Sequence, residues 1–305
     1  MLRDKLKKLL NFPSRVLHQL NLIQEALGRV EARQVLKASN KSPKESEFRV
    51  FSQWGEDGII QFLINNIEIS NRFFVEFGVE DYLQSNTRFL LINNNWSGIV
   101  IDGGEENIEF IKKDAIYWAH NIKAECAFIT KDNINDILLK SGVKNDIGIL
   151  SVDIDGNDYW VWDAINCISP RIVICEYNSI FGHVAEVTTE YKADFVRNKK
   201  HYSNIVYGAS IAALNKLAIK KGYSLIAGNS AGNNVFFVRN DLLGNLKALK
   251  AEEAYVKAKF REYHNESGKL TFDNFEQRLR KIQDVEIFDI SSNTMLPIKK
   301  IKGIS

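Results

Sequence analysis

The sequence predicts an α/β protein whose central sheet is doubly wound and mostly parallel, with an antiparallel strand at its end. Three observations carry that expectation. From about residue 48 to 240, apolar β-forming runs alternate with helical text, as repeated βα units do. The runs lack a polar face, as expected of strands covered on both sides. The last two runs flank a Gly- and Asn-rich turn, which reads as a hairpin.

Residues 1–46 precede that zone as a helical extension. Leu2, Leu6 and Leu9 form an apolar stripe flanked by Arg3, Lys5, Lys7 and Lys8. After Pro13, the residues Val16, Leu20, Ile23, Leu27 and Val30 recur at alternating steps of four and three, a short a/d seam. The seam fits pairing between copies, most simply a homodimer, or docking on the chain's own domain. A weak membrane-surface contact through the basic first segment is the lesser reading. Ser39 to Glu45 reads as a linker.

The domain itself spans 47–240. Its first strand is Phe73 to Val79, followed by a short helix from Thr87 to Asn93. A second strand, Gly98 to Asp102, leads into a helix from Glu105 to about Tyr117. Asn121 to Thr130 gives a third strand, and Asn133 to Lys140 a helix stopped by Gly142. The fourth strand runs from Ile147 into Asp153, and the fifth from Arg171 to Glu176. Ala209 to Lys221 is an amphipathic helix with Gly222 at its end, and Tyr223 to Ala227 and Asn234 to Arg239 form the hairpin. The remainder, 241–305, reads as a charged helical extension (Leu246 to Tyr263, Phe272 to Ile282) without catalytic text.

A net charge of +2 across 305 residues implies no nucleic-acid partner. Cys126, Cys167 and Cys175 are odd in number and spaced unlike zinc ligands, so they read as buried reduced thiols of a cytoplasmic protein. There is no apolar run long enough for a transmembrane segment and no secretory pattern at the N-terminus.

The stretch Ile149 to Tyr159 carries the chemistry. An apolar strand drives into Asp153, Asp155 and Asp158, and strand alternation sends Asp153 and Asp155 to one side. Buried carboxylates are costly unless paired or bound, so three at one strand end mark a site. An Asp-Gly turn with a helix N-cap explains Asp155 or Asp158 singly, but not all three. Three other strand ends share that edge: Glu76-Phe-Gly78, Asp102-Gly-Gly104 and Glu176-Tyr-Asn178. Gly78 allows close backbone approach to a ligand, and Asp102 suits a ribose diol. G-x-G-x-x-G is absent, and Glu76 and Glu80 would repel a pyrophosphate. A cationic adenosyl cofactor, S-adenosylmethionine, suits these acids better.

Ser52-Gln-Trp-Gly-Glu-Asp-Gly58, Val75-Glu-Phe-Gly78, Ser85-Asn-Thr87 and the Ser151-to-Trp160 block resemble the FkbM-like branch of Rossmann-like class I methyltransferases. Glu176-Tyr-Asn178, Gly208-Ala-Ser210 and Asn234 to Arg239 are similar to it as well. The resemblance covers about residues 48–240. It implies an S-adenosylmethionine-dependent O-methyltransferase acting on a sugar hydroxyl, with a nucleotide-activated sugar of surface-polysaccharide synthesis as substrate. Carried over by position, Glu76 and Gly78 form the cofactor loop, with Asp153 beside them. Asp102 holds the ribose, and Gln53, Ser85 and Asn86 sit near the methionine end. Where the common class I loop carries further glycines, this chain has Glu80 and Tyr82, which puts the loop's shape in question. The resemblance also implies Mg or Mn held by Asp155 (or Asp153), Glu176 and Asn178. Asp158 is then the first candidate for general base, and His183 the second. Tyr159, Trp160 and Trp162 follow the acids; Trp162 reads as core. The Lys-rich stretch Lys192 to His201 is a solvated loop or a contact for a nucleotide diphosphate. Two rivals remain: a metal-dependent glycosyltransferase using Asp153-x-Asp155, and a scaffold whose working part is the N-terminal seam.

Overall fold

The structure, a computed structural model, describes residues 12–37, 42–260 and 262–304. Its strands are β1 (Phe73–Phe77), β2 (Ser97–Asp102), β3 (Ile122–Cys126), β4 (Asp146–Val152), β5 (Ser169–Glu176), β6 (Val187–Thr188), β7 (Tyr223–Gly228), β8 (Asn234–Arg239), β9 (Glu286–Asp289) and β10 (Thr294–Pro297). Seven of them form one sheet in the order β3-β2-β1-β4-β5-β8-β7. β1 to β5 pair in parallel, and β8 runs antiparallel to both β5 and β7. The order reverses between β1 and β4, so their C-terminal ends form the crevice where open α/β sheets take ligands. The antiparallel strand therefore lies one place inside the edge, because the hairpin inserts its second strand against β5.

Continuous apolar runs make these strands because both faces are buried. Val75, Phe77, Leu150, Val152 and Val173 pack into one core, and Phe74, Val100, Ile149, Ile172 and Ile174 into the other. Trp162 lies in the first, as expected. Of the cysteines only Cys175 is buried; Cys126, at the end of the edge strand β3, is exposed, and Cys167 is half-buried.

The helices are α1 (Phe12–Lys37), α2 (Glu56–Asn66), α3 (Arg88–Asn93), α4 (Glu105–Lys113), α5 (Ala115–Ala119), α6 (Ile134–Lys140), α7 (Asp158–Ala164), α8 (Arg197–Lys200), α9 (Ile211–Lys221), α10 (Ala251–Ala254) and α11 (Phe275–Ile282). The helix expected from Glu105 to Tyr117 is two. Asp114 is extended, and its carboxylate accepts from Ile116 N at 2.8 Å, capping a new helix. α9 has the expected ends, a Ser210 cap accepting from Ala213 N and Gly222 at φ +84°.

The C-terminal extension departs most from expectation. Among its described residues only α10 and α11 are α-helical, and Tyr255 to Phe260 and Glu262 belong to a non-helical strap. Tyr177 Oη accepts from Val256 N and donates to Val256 O, and Ser179 Oγ accepts from Ala258 N. These bonds satisfy backbone groups that a helix would otherwise use. Further on, β9 pairs with both β10 and β6, so the extension shares a sheet and a small core with the preceding domain. The apolar stripe of Leu2, Leu6 and Leu9 and its basic flanks lie outside the described residues. No helix among the described residues is long and apolar enough to cross a membrane.

Candidate active site

A cleft of about 350 Å³ opens over the C-terminal ends of β1, β2, β4 and β5, within the usual range for small-molecule sites. Gly78 forms its floor. It adopts φ +67°, and a Cβ there would lie 1.7 Å from the Asp153 carbonyl oxygen, so only glycine lets the β1 and β4 loops touch. Glu80 and Tyr82 follow at φ +47° and +62°. The loop keeps left-handed turns at both places without glycine. Its shape is held by Glu80 N donating to Asp102 Oδ2 at 2.8 Å and by Tyr82 Oη against Thr87 Oγ1 at 2.9 Å.

Asp102 ends β2 on the cleft wall, and its Oδ1 accepts from Gly104 N and Asn107 Nδ2. Three of its roughly four acceptor positions are thus taken, which fixes the carboxylate and leaves one free. Beyond β4, Asp155 has φ +56°, so the strand alternation that would align it with Asp153 has already ended. Asp155 pairs with Arg197 Nη1 at 2.8 Å, and the same nitrogen lies 3.3 Å from Glu262. The guanidinium also sits 3.8 Å over the Tyr207 ring.

Asp153 and Glu176 face the cleft without protein hydrogen bonds. Among the described residues Glu176 Oε2 is buried and has no partner. Burial, then the neighbouring carboxylates, holds both well above the ordinary carboxylate range, with Arg197 opposing. Glu80 is raised too, by burial and by Asp81, Asp155 and Asp102. Among the described residues the wall carries six carboxylates (Glu80, Asp102, Asp153, Asp155, Glu176 and Glu262) against one cation, Arg197. At one end, between β2 and β3, the wall is apolar: Ile101, Ala127, Phe128 and Ile129.

Of the residues singled out in the sequence, Gln53, Gly78, Glu80, Asp102, Asp153, Asp155 and Glu176 line this cleft. The remaining candidate site residues do not. Glu76 turns inward and accepts from Asn86 N, Thr87 N and Thr87 Oγ1, while Ser85 N donates to Phe51 O and Asn86 Nδ2 to Ser151 Oγ. These three residues shape the loop from behind. Asp158, the first candidate base, accepts from Ile154 N and Gly156 N, and burial pushes it up to about 6. It holds the turn that aims Asp153. His183, the second, is half-buried with its ring 5.2 Å from Tyr255. Asn178 donates to Ile205 O and Tyr207 O and accepts from Ile180 N, which holds its amide off the cleft wall. Among the described residues no group of three or more His, Cys, Asp or Glu side chains is arranged to hold a metal ion. The expected set of Asp155, Glu176 and Asn178 is not assembled, and the chain does not fit an Mg or Mn centre.

Several cleft residues went unread in the sequence. Phe195 and Arg197 come from the Lys-rich stretch, and Phe260 and Glu262 from the strap. Within the resemblance motif, Asp57 accepts from Val50 N, Phe51 N, Ser52 N and Ser52 Oγ. Glu56 accepts from Trp54 N, Gly55 N, Asn229 Nδ2 and Asn234 Nδ2. The motif is thus a buried knot that carries Gln53 and Trp54 to the rim.

No protein-family model matches the chain, and no curated protein does. Solved structures similar to it include the N-terminal domain of EvdMO1 with S-adenosylhomocysteine bound, at 10% identity, 69% of this chain, 95% of that one and a TM-score of 0.40. Another is an S-adenosylmethionine-dependent methyltransferase from Clostridium acetobutylicum, at 10% identity, 60% and 90% coverage and a TM-score of 0.39. A third is the O-methyltransferase from Bacillus cereus with S-adenosylhomocysteine, at 13% identity, 71% and 90% coverage and a TM-score of 0.36.

Proposed function

We propose that the cleft binds S-adenosylmethionine and that the chain is an O-methyltransferase acting on a sugar hydroxyl. The observation that carries this reading is the acidic wall at the sheet's switch point, six carboxylates to one guanidinium among the described residues. Such a wall repels phosphate and suits a ligand carrying a sulfonium and an ammonium group. The free acceptor position of Asp102 suits a ribose hydroxyl, and the apolar end at Phe128 and Ile129 suits an adenine ring. When bound, the cofactor supplies an electrophilic methyl group. The chain's own part is to orient the acceptor, exclude water and receive the hydroxyl proton. Asp153 and Glu176, buried at the ends of β4 and β5, are carboxylates on the wall that could receive it, and their raised affinity for protons suits a base working near neutral pH.

A sugar acceptor is supported by the mouth of the cleft. Trp54 stacks on Phe260, with ring centroids 5.5 Å apart and planes 28° from parallel. Beside them a second cavity of about 530 Å³ shares Phe260 with the cleft and is also lined by Lys259. A pyranose fits the aromatic faces. The diphosphate of an activated sugar, such as surface-polysaccharide synthesis uses, would lie out by Lys259, away from the acids. The glycosyltransferase rival is not favoured, because Asp155 is turned to Arg197 and the Asp-x-Asp pair does not converge.

Calorimetric titration with S-adenosylhomocysteine in the presence of a chelator tests the cofactor, and binding is expected. No heat there, combined with metal-dependent binding of nucleotide sugars, would replace this reading with the rival. Labelled cofactor incubated with a panel of nucleotide sugars should give a product heavier by one methyl group. Glu176→Gln is expected to lower kcat about 100-fold and to weaken S-adenosylhomocysteine binding by a smaller factor, because Asp153 remains to face the ammonium group.

A further inference from the structure

α1 leaves its apolar seam bare. Val16, Leu20, Ile23, Leu27 and Val30 are each 41 to 61% exposed, although they recur at strict four–three spacing. The helix touches the body elsewhere. Gly28, Ala32 and Val35 are its buried residues, and Gln24 Nε2 donates to Val50 O. At 100° per residue these contacts point about 115° away from the seam. All of them lie from Gln24 onward, and residues 15–23 are exposed, so this stretch carries an unburied stripe. A short amphipathic helix is marginal in water unless that stripe is covered.

We propose that the seam is a self-association surface whose occupant is the same helix of a second copy. Charge decides between occupants. The places flanking the seam are Leu17, Gln24 and Glu31 on one side and Gln19 and Ala26 on the other; only Glu31 is charged, and in a parallel pair it faces the uncharged Ala26 of the other copy, so an identical helix meets no like charge. Arg29 and Glu25 stand on the far side, where they pair at 3.6 Å. A membrane-lying helix needs the opposite, unpaired cations along the borders of its apolar face. Spacing supplies the rest, because a four–three repeat is what lets side chains of one helix seat between those of another.

Sedimentation equilibrium of the full chain tests the proposal. The wild type is expected at a multiple of the chain mass, Leu20→Glu/Leu27→Glu at the single-chain mass, and Leu22→Glu/Leu36→Glu, exposed but off the seam, unchanged from wild type. An Ile23→Cys variant oxidised under mild conditions should give a 23–23 crosslink between copies, identified by mass spectrometry. This second readout stands even where the glutamates unfold α1. A wild type that stays monomeric, or a glutamate pair that still assembles, overturns the proposal. So does a wild type that remains monomeric but co-sediments with anionic phosphatidylserine vesicles through the same two leucines.

Discussion

A methyl group at position 78 has no room, because it would sit 1.7 Å from the Asp153 carbonyl oxygen on a backbone at φ +67°. Left-handed strain and forced separation of the two loops add, so Gly78→Ala should cost at least about 2 kcal/mol and move Asp153 away from the cleft. Urea denaturation measures the first effect, and an unchanged midpoint would contradict this account. Gly78, Asp102 and Asp153 were legible in the sequence because a strand end fixes which way the chain is facing. Glu76, Asp158 and Asn178 were not. A strand-end polar residue reads the same whether it faces a ligand or its own backbone N–H groups, and only the fold brings those donors up. Arg197 meets Asp155 and Glu262 across long stretches of chain, so no local pattern announces these contacts.

At the scale of elements, the strands were legible because burial on both faces writes an unbroken apolar run. The strap was not. Leu246 to Tyr263 has helix-compatible composition, yet Tyr177 and Ser179 capture its backbone and draw Phe260 and Glu262 to the cleft. Tertiary partners outweigh weak local propensity here. Tyr177→Phe removes a hydroxyl that both donates to Val256 O and accepts from Val256 N. Leaving those two groups unsatisfied should cost about 1–3 kcal/mol and loosen the strap. On the proposed function, the KM for the acceptor, which meets Phe260, should rise more than kcat falls. Steady-state kinetics separate the two, and a fall in kcat alone would assign the strap a different role.

For the whole molecule, the consequence of folding acids into a dry rim is a stability that declines with pH. Burial raises Asp57 and Asp158 from 3.8 to about 6, and holds Asp153 and Glu176 well above their ordinary values. Between the unfolded and folded values the native chain keeps protons that the unfolded chain has released. Stability is therefore fully present below about pH 4 for these groups and is lost as pH rises through the folded values. For Asp57 and Asp158 a shift of that size corresponds to on the order of 3 kcal/mol each. His120 and His201, lowered by burial, act the opposite way up to about pH 6.5. The ligand-free melting temperature should accordingly fall between pH 6.5 and 8, where the histidines no longer compensate. Asp153→Asn/Glu176→Gln removes two of the titrating groups without changing their shape, so its melting temperature should fall less over that interval. Coincident slopes for the variant and the wild type would mean that the two carboxylates are already hydrated and charged in the folded chain. A cationic ligand favours the ionised rim, so S-adenosylhomocysteine, through its ammonium group, should bind more tightly as pH rises and release protons as it does so. Calorimetry in buffers of different ionisation enthalpy reads that release directly. Proton uptake instead would mean that the ligand's positive charge lies away from Asp153 and Glu176.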